Sequence, residues 1–190
     1  AGNVYAAGAF DTAGNVAANC VAKWDGSAWS ALNACITGPN NSVFTSVMDA
    51  SGNVYAGGGF TTAGGVIVNH IAKWDGSAWS ALGSGTNSTA LALARDAAGN
   101  VYAGGSFLTA GGTPAKGVVR IDGASCVPLG TGMTGATVAD REYCGINALT
   151  CDLSGNLYAG GVFTTAGGVK ADNVAKWDGA SWSALGSGTF

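Results

Sequence analysis

Residues 52–65 read GNVYAGGGFTTAGG, and close variants of this stretch begin at Gly2, Gly99 and Gly155. A tyrosine and a phenylalanine keep their places in every copy; the tyrosines are Tyr5, Tyr55, Tyr102 and Tyr158, and the phenylalanines are Phe10, Phe60, Phe107 and Phe163. Copies about 50 residues apart are typical of proteins built by stacking one supersecondary unit. The sequence therefore predicts a single repeat domain over residues 1–190, with repeats starting at 2, 52, 99 and 155.

Within one copy, apolar and other residues alternate with period two, and turn residues interrupt the pattern about every ten positions, which predicts short antiparallel strands. Val54 and Ala56 then share one face of a strand, and Tyr55 lies on the other. At Gly57-Gly58 we expect either that a β-carbon would obstruct a neighbouring backbone or that φ is positive. The TTAGG segment that follows is predicted to be a loop.

Two further strands, over 70–74 and 78–82, flank the turn residues Asp75-Gly76 and read as a hairpin. A fourth strand is predicted between copies, over 43–48, 90–94 and 146–151. Each of these ends in Asp-x-x-Gly-Asn, a turn in which we expect Asp to accept backbone N–H groups while Gly and Asn adopt left-handed conformations. Small residues such as Ala92, Ala94 and Ala148 suit a strand crowded against its equivalents, so this strand is expected to be innermost.

The segments VYAGG, AKWDG and AWSALG follow one another in this unit, and the unit resembles the kelch-type β-propeller blade. It is also similar to the Gly-Asn-x-Tyr-x-Gly-Gly repeats of large exported bacterial proteins. The resemblance covers the whole chain and implies an all-β fold, a β-propeller of four-stranded antiparallel blades that is four-bladed or part of a larger ring or array. The third copy departs from the pattern, because Ile121 stands where other copies have Trp24, Trp74 and Trp177, and Cys126 where they have Trp29, Trp79 and Trp182.

The strand count predicts an incomplete first blade. Fifteen strands are expected where four blades need sixteen, and the absent one is the inner strand of the first blade. Three explanations stay open: a longer natural chain, a strand supplied by another chain, or a first blade that tolerates three strands. Because an unpaired strand edge recruits other chains, the sequence predicts self-association, with a filament as one form of assembly.

Composition excludes several classes of partner. Charged residues make up only 10 % of the chain, its net charge is −3 and neither sign forms a run, so nucleic acid is not an expected partner. No apolar run approaches the length that crosses a bilayer, so membrane insertion is not expected and the chain is expected to be soluble. Sequons at Asn40 and Asn87 fit an exported protein, and we expect an extracellular or cell-surface location.

The cysteine, histidine and carboxylate inventory argues against catalysis. Five cysteines without a CxxC, and one histidine, His70, exclude zinc, haem and iron–sulfur sites, so no cofactor is expected. The Asp-x-x-Gly-Asn turns offer one carboxylate each, too few for calcium. Glu142 is the single glutamate, no Gly-x-Ser-x-Gly motif occurs, and His70 is predicted to be an ordinary residue at a strand start. The chain is not expected to be an enzyme.

One disulfide and one contact loop are predicted. Cys20 and Cys35 fall nearly opposite each other in the hairpin that turns at Asp25-Gly26, which favours a bridge between them. The insertion that contains Asp140, Arg141 and Glu142 is the stretch that the repeat does not explain, so it is the candidate interaction loop.

These observations predict a non-catalytic secreted or cell-surface module that presents loops and associates with itself or with other surface proteins. The alternative is a carbohydrate-binding propeller lectin, in which tryptophans stack on glycans. A weaker alternative is a non-catalytic fragment of a larger enzyme.

Overall fold

A computed structural model describes residues 2–32, 36–38, 41–135, 137–138, 141–142 and 145–189, at 137–138 and 141–142 through the backbone. The fold is all-β, and these residues contain no helix, as the sequence predicts. Accordingly, the described part of the chain holds no helix long and apolar enough to cross a membrane.

The first unit consists of a three-stranded antiparallel sheet, sheet 1, and a short hairpin. Its strands are β1 (Val4–Ala7), β2 (Thr12–Ala13), β3 (Val16–Ala17), β4 (Val21–Trp24) and β5 (Trp29–Ala31). Sheet 1 has the order β1-β4-β5, and β2 pairs with β3. Among the described residues, β1 is therefore an edge strand.

The second unit adds an inner strand and a connecting strand to the same plan. Its strands are β6 (Ile36–Thr37), β7 (Val43–Met48), β8 (Val54–Gly58), β9 (Thr62–Ala63), β10 (Val66–Ile67), β11 (Ile71–Trp74) and β12 (Trp79–Ala81). Sheet 2 has the order β7-β8-β11-β12, so β7 is an edge strand of its sheet; β7 and its equivalents in sheets 3 and 4 are called inner strands below. β6 joins the short hairpin β9-β10.

The third and fourth units follow the plan of the second. The third contains β13 (Ala90–Arg95), β14 (Val101–Gly105), β15 (Thr109–Ala110), β16 (Thr113–Pro114), β17 (Val118–Asp122) and β18 (Ser125–Pro128). Three short strands lead into the fourth unit: β19 (Met133–Thr134), β20 (Thr137–Val138) and β21 (Arg141–Glu142). The fourth unit then contains β22 (Gly145–Cys151), β23 (Leu157–Val162), β24 (Thr165–Ala166), β25 (Val169–Lys170), β26 (Val174–Trp177) and β27 (Trp182–Ala184). Sheet 3 is β13-β14-β17-β18 and sheet 4 is β22-β23-β26-β27.

The four larger sheets confirm the strands predicted from the period-two pattern, but the segment TTAGG was wrongly predicted to be a loop. In the second unit it carries β9 and turns into β10, with Val66 opposite Ala63. A two-residue strand is too short to show alternation, so the pattern gave no signal for it.

The Asp-x-x-Gly-Asn turns form as predicted except at their asparagine. Gly52 is left-handed, with φ of 85°, whereas Asn53 is not. Asn53 instead donates from its backbone N and its side-chain Nδ2 to the Asp49 carboxylate. The asparagine is therefore a hydrogen-bond donor to the turn and not a conformational element of it.

The core lies between consecutive sheets. Three clusters of buried apolar residues fill the spaces between sheets 1 and 2, 2 and 3, and 3 and 4. Val54 and Ala56 belong to the cluster on the side of sheet 1, while Tyr55 belongs to the cluster on the side of sheet 3. The inner strands β7, β13 and β22 also contact one another in that order. Sheets 2 and 3 thus each bury one face against the preceding unit and the other against the following unit, while sheets 1 and 4 each bury one face.

Candidate functional site

In the second, third and fourth units, the last strand of the sheet makes a polar contact with the unit before it. Trp79 Nε1 donates to the Leu32 carbonyl oxygen at 3.0 Å, and Trp182 Nε1 donates to that of Leu129 at 2.9 Å. In the third unit Cys126 replaces the tryptophan, and its Sγ lies 3.8 Å from the Leu82 carbonyl oxygen. Each contact joins residues of consecutive units, because the leucine lies just after the last strand of the preceding sheet, so it fixes how one unit sits on the next.

We expect Trp79 and its equivalent in the first unit, Trp29, to respond differently to loss of the indole N–H. Trp79→Phe leaves the buried Leu32 carbonyl without its donor and should lower the free energy of unfolding by about 2 kcal/mol. Trp29, at the equivalent place in sheet 1, is half-buried and has no acceptor among the described residues, so Trp29→Phe should change it by less than about 1 kcal/mol. Urea denaturation followed by circular dichroism measures both; equal losses would contradict this assignment.

Short hairpins provide a second link between units. β6 pairs with β9, β19 pairs with β24, and Thr86 forms a bridge with Ala110, so the segment that follows the last strand of one large sheet always joins the short hairpin beside the next large sheet. Hydroxyl groups reinforce two of these links, Thr37 with Thr62 and Thr134 with Thr165. In the described residues, β2 and β3 of the first unit pair only with each other.

The third link is the contact of an inner strand with a glycine of the preceding sheet. A β-carbon on Gly104 would lie 2.5 Å from Ile146 Cγ2 and 3.1 Å from Leu149 Cδ1, both on β22. At Gly57 the same atom would lie 3.1 Å from Ala90 Cβ on β13. The absence of a side chain therefore lets the next inner strand approach.

Two faces at the ends of the stack carry these same features without a partner. The head face is the exposed face of sheet 1 and comprises Val4, Trp24 and Trp29. The tail face is the exposed face of sheet 4 together with the residues just after β27, and it comprises Tyr158, Gly160, Leu185 and Gly186. They are the two outer surfaces left after the three buried interfaces are formed.

Exposure shows that neither end face is covered. Val4 is 56 % exposed, whereas Val54 at the equivalent place is 1 % exposed. Leu185 is 39 % exposed, whereas its equivalent Leu82 is 1 % exposed. A β-carbon on Gly160 would meet no atom within 4 Å, so the tail face is open where Gly104 receives β22.

The tail face also contains a small apolar cavity of about 140 Å³, lined among others by Leu149, Tyr158, Gly160 and Val174. Two larger cavities lie elsewhere. One of about 340 Å³ lies beside Phe10, Cys20 and Ile36, and one of about 320 Å³ lies at the ends of the inner strands. In the described residues no group of three or more His, Cys, Asp and Glu side chains could hold a metal ion.

A cluster of three residues recurs where each inner strand turns. In the third unit Asp96 Oδ1 accepts from the backbone N of Asn100 at 2.8 Å, and Oδ2 accepts from Asn100 Nδ2 at 2.7 Å and from the Tyr102 hydroxyl at 3.1 Å. The bond between the tyrosine and the aspartate was not predicted from the sequence. The signal for it is an aspartate six residues before the tyrosine in three copies, at positions 49, 96 and 152.

This cluster shifts the pKa of both ionisable partners. Burial raises the pKa of Asp96, but hydrogen bonds from Asn100 and Tyr102 outweigh burial and hold it below the ordinary 3.8. Burial and then the Asp96 carboxylate raise the pKa of Tyr102 to about 12, and burial and then the Asp49 carboxylate raise the pKa of Tyr55, also to about 12. The neutral phenol and the ionised carboxylate are therefore the paired forms over a wide pH range.

We expect stability to fall at both ends of the pH scale. Since the folded pKa of Asp96 lies below 3.8, its stabilisation is present above about pH 4 and is lost as pH falls through the folded pKa. Since the folded pKa of Tyr102 is about 12, its stabilisation is present below pH 10 and is lost as pH rises towards 12. The measurement is the thermal midpoint between pH 2 and 12. At pH 7 Asp96→Asn should have a lower thermal midpoint than the wild-type chain, and its midpoint should fall less on acidification. An equal fall on acidification in the variant and the wild type would contradict the prediction.

His70 lies directly before β11 with φ of 71°, and its equivalents Cys20, Gly117 and Asn173 also have positive φ. This position is therefore defined by its left-handed backbone and not by one type of side chain. Its buried Nδ1 has no hydrogen-bond partner in the described residues.

Several predictions fall at the margin of the described residues. Cys35, Asn40 and Asp140 lie outside them, so the Cys20–Cys35 bridge and a glycan at Asn40 stay predictions. The backbones of Arg141 and Glu142 form β21, which pairs with β20. Asn87 is exposed, and its Oδ1 accepts from the backbone N of Leu108 and Thr109.

The side chains that could react or bind sugars are mostly buried. Burial raises the pKa of the Cys126 and Cys151 thiols to about 11, so both are protonated at neutral pH. Four tryptophans are buried between sheets: Trp74, Trp79, Trp177 and Trp182. Stacking a sugar needs an exposed ring, which restricts the carbohydrate-binding alternative to Trp24 and Trp29.

No protein-family model matches this chain, and no curated protein matches it.

Proposed function

We propose that this chain is a non-catalytic structural and interaction module, secreted or cell-surface, whose copies associate head face to tail face. Its four sheets are consecutive blades of a kelch-like β-propeller array. The observation that carries the proposal is that two contacts recur at the three interfaces inside the chain and also exist as unused halves at its ends: the polar contact with a leucine carbonyl oxygen and the hairpin link. The proposed location is supported by the resemblance to exported repeat proteins and by the exposed sequon at Asn87.

The two halves of the polar contact match. Trp29 has an N–H without an acceptor in the described residues, and the Leu185 carbonyl stands where Leu32 and Leu129 accept a tryptophan N–H. Gly83 packs closely on Gly111 of the next unit, since a β-carbon on Gly83 would lie 3.1 Å from Gly111 Cα. At the equivalent residue Gly186, a β-carbon would meet no atom within 4 Å.

The hairpin link is matched in the same way. Thr189 N donates to the Asp172 carbonyl oxygen at 3.0 Å, just as Thr86 N donates to that of Asn69 at 2.9 Å. Thr86 then bridges to Ala110 in the next unit, so Thr189 has the position from which to bridge to Ala13 of a second copy. A contact between different faces is heterologous and generates rings or filaments.

Sedimentation velocity over a range of concentrations tests the association. The wild-type chain should gain mass with concentration, and Leu185→Arg and Val4→Arg, each of which damages one end face at an exposed residue, should stay monomeric. Ile67→Arg is the matched control, because Ile67 is 70 % exposed on the short hairpin β9-β10 and belongs to neither end face.

Mixing the two damaged variants distinguishes head-to-tail association from a symmetric contact. Leu185→Arg keeps an intact head face and Val4→Arg keeps an intact tail face, so an equimolar mixture should form a dimer and nothing larger. A wild-type chain that stays monomeric at high concentration, or a mixture without dimers, would overturn the proposed association. Electron microscopy of the wild-type assembly then separates closed discs from filaments.

A further inference from the structure

We propose that the free edge of β1 is a binding site for an extended peptide whose small and apolar residues end in Asp-x-x-Gly, supplied by another polypeptide. The occupant is of the same chemistry as the inner strands of sheets 2 to 4. The inference goes beyond head-to-tail association, because sheet 1 of a single copy is enough to bind the peptide.

Gly8 is the first observation. In sheets 2, 3 and 4 the equivalent glycines are Gly58, Gly105 and Gly161, and a β-carbon there would overlap the carbonyl oxygen of Ser42, Thr89 or Gly145 at the start of the inner strand. In sheet 1 a β-carbon on Gly8 would meet nothing nearer than Phe10 Cδ1, at 3.5 Å. Sheet 1 therefore has the clearance for an inner strand that its own described residues do not fill.

Asn3 and Tyr5 are the second observation. They correspond to Asn100 and Tyr102, which donate to the Asp96 carboxylate at the end of an inner strand. Asn3 is exposed and Tyr5 half-buried, and neither faces an equivalent aspartate within the described residues. The pair is arranged to receive a carboxylate from outside sheet 1.

The register follows from the pairing of β13 with β14. Arg95, Ala94 and Leu93 lie opposite Val101, Tyr102 and Ala103, and a bulge between Ala90 and Ala92 brings Ala90 opposite Gly105. The same peptide on β1 would place these three residues opposite Val4, Tyr5 and Ala6 and would pass Gly8 at the bulge. Strand addition of this kind takes its affinity from backbone hydrogen bonds and its specificity from side chains.

The test uses a fluorescent peptide of residues 87–99 and the Leu185→Arg chain, so that self-association does not compete. Anisotropy should show saturable binding with one peptide per chain. The peptide carrying Asp96→Ala should bind at least about tenfold more weakly than the parent peptide, because a charged acceptor for Asn3 and Tyr5 is lost. Tyr5→Phe should weaken binding of the parent peptide and reduce its advantage over the Asp96→Ala peptide, since the two changes remove the same bond.

Gly8→Ala separates edge pairing from binding elsewhere on the protein. It should abolish binding while leaving the thermal midpoint unchanged, because its β-carbon meets only Phe10. Absence of binding by wild-type sheet 1, equal binding by the Asp96→Ala peptide, or full binding by Gly8→Ala would each overturn the inference. Since these experiments use a chain with a damaged tail face, they stand or fail separately from the proposed association.

Discussion

Phe107→Ala is expected to lower the free energy of unfolding by about 4 kcal/mol. Phe107 is fully buried in the cluster between sheets 2 and 3, and alanine would leave a cavity that the surrounding strands cannot close. A loss of this size is a large part of the stability of a single domain. Urea denaturation monitored by tryptophan fluorescence measures it.

Phe10→Ala is the matched control, because Phe10 holds the same place in the first unit but is only partly buried. We expect a loss of less than half that of Phe107→Ala, since less apolar surface returns to water. Equal losses of unfolding free energy in the two variants would contradict this, because they would mean that Phe10 is buried to the same extent as Phe107.

Gly105→Ala is the second change with a large expected effect, about 3 kcal/mol or more. Its β-carbon would overlap the Thr89 carbonyl oxygen, and the overlap is with backbone, so no side-chain rotation relieves it. The bulge at the start of β13 would have to open, and the pairing of Ala90 with Gly105 would be lost. Thermal unfolding followed by circular dichroism measures the change.

Gly8→Ala serves as the control for this prediction too. The backbone conformation at Gly8 is an ordinary one for an L-residue, and its β-carbon would have normal contact with Phe10. We expect stability within about 0.5 kcal/mol of the wild-type value. A strongly destabilised Gly8→Ala would mean that the glycine is needed by sheet 1 itself, which contradicts the clearance described above.

Local chemistry explains why much of the fold could be predicted. The alternation of Val54, Tyr55 and Ala56 needs only the geometry of an extended chain, and Asp75-Gly76 needs only a turn. The prediction that a β-carbon at Gly57-Gly58 would obstruct a neighbour is confirmed, and both residues lack positive φ. The short hairpins escaped prediction because strands of two residues carry no periodicity.

The candidate site was less predictable, because its parts come together only through packing. Trp79 and Leu32 are 47 residues apart and Trp182 and Leu129 are 53 apart, and nothing in the local pattern of either residue announces the bond. The Tyr102–Asp96 bond was also missed, although the two residues are only six apart, since the turn between them decides whether they meet.

The sequence by itself determined that this protein is all-β, where the strands of its four larger sheets run and where its turns fall, because these depend on alternation, on the turn chemistry of Asp, Gly and Asn, and on hydrogen bonding over a few residues. Tertiary structure alone decided which indole meets which carbonyl, how hairpins bridge consecutive units, and that Val4 and Leu185 stay exposed where their equivalents are buried. The physical reason is that identical local sequences form identical sheets, whereas burial depends on whether a neighbouring sheet is there to cover them.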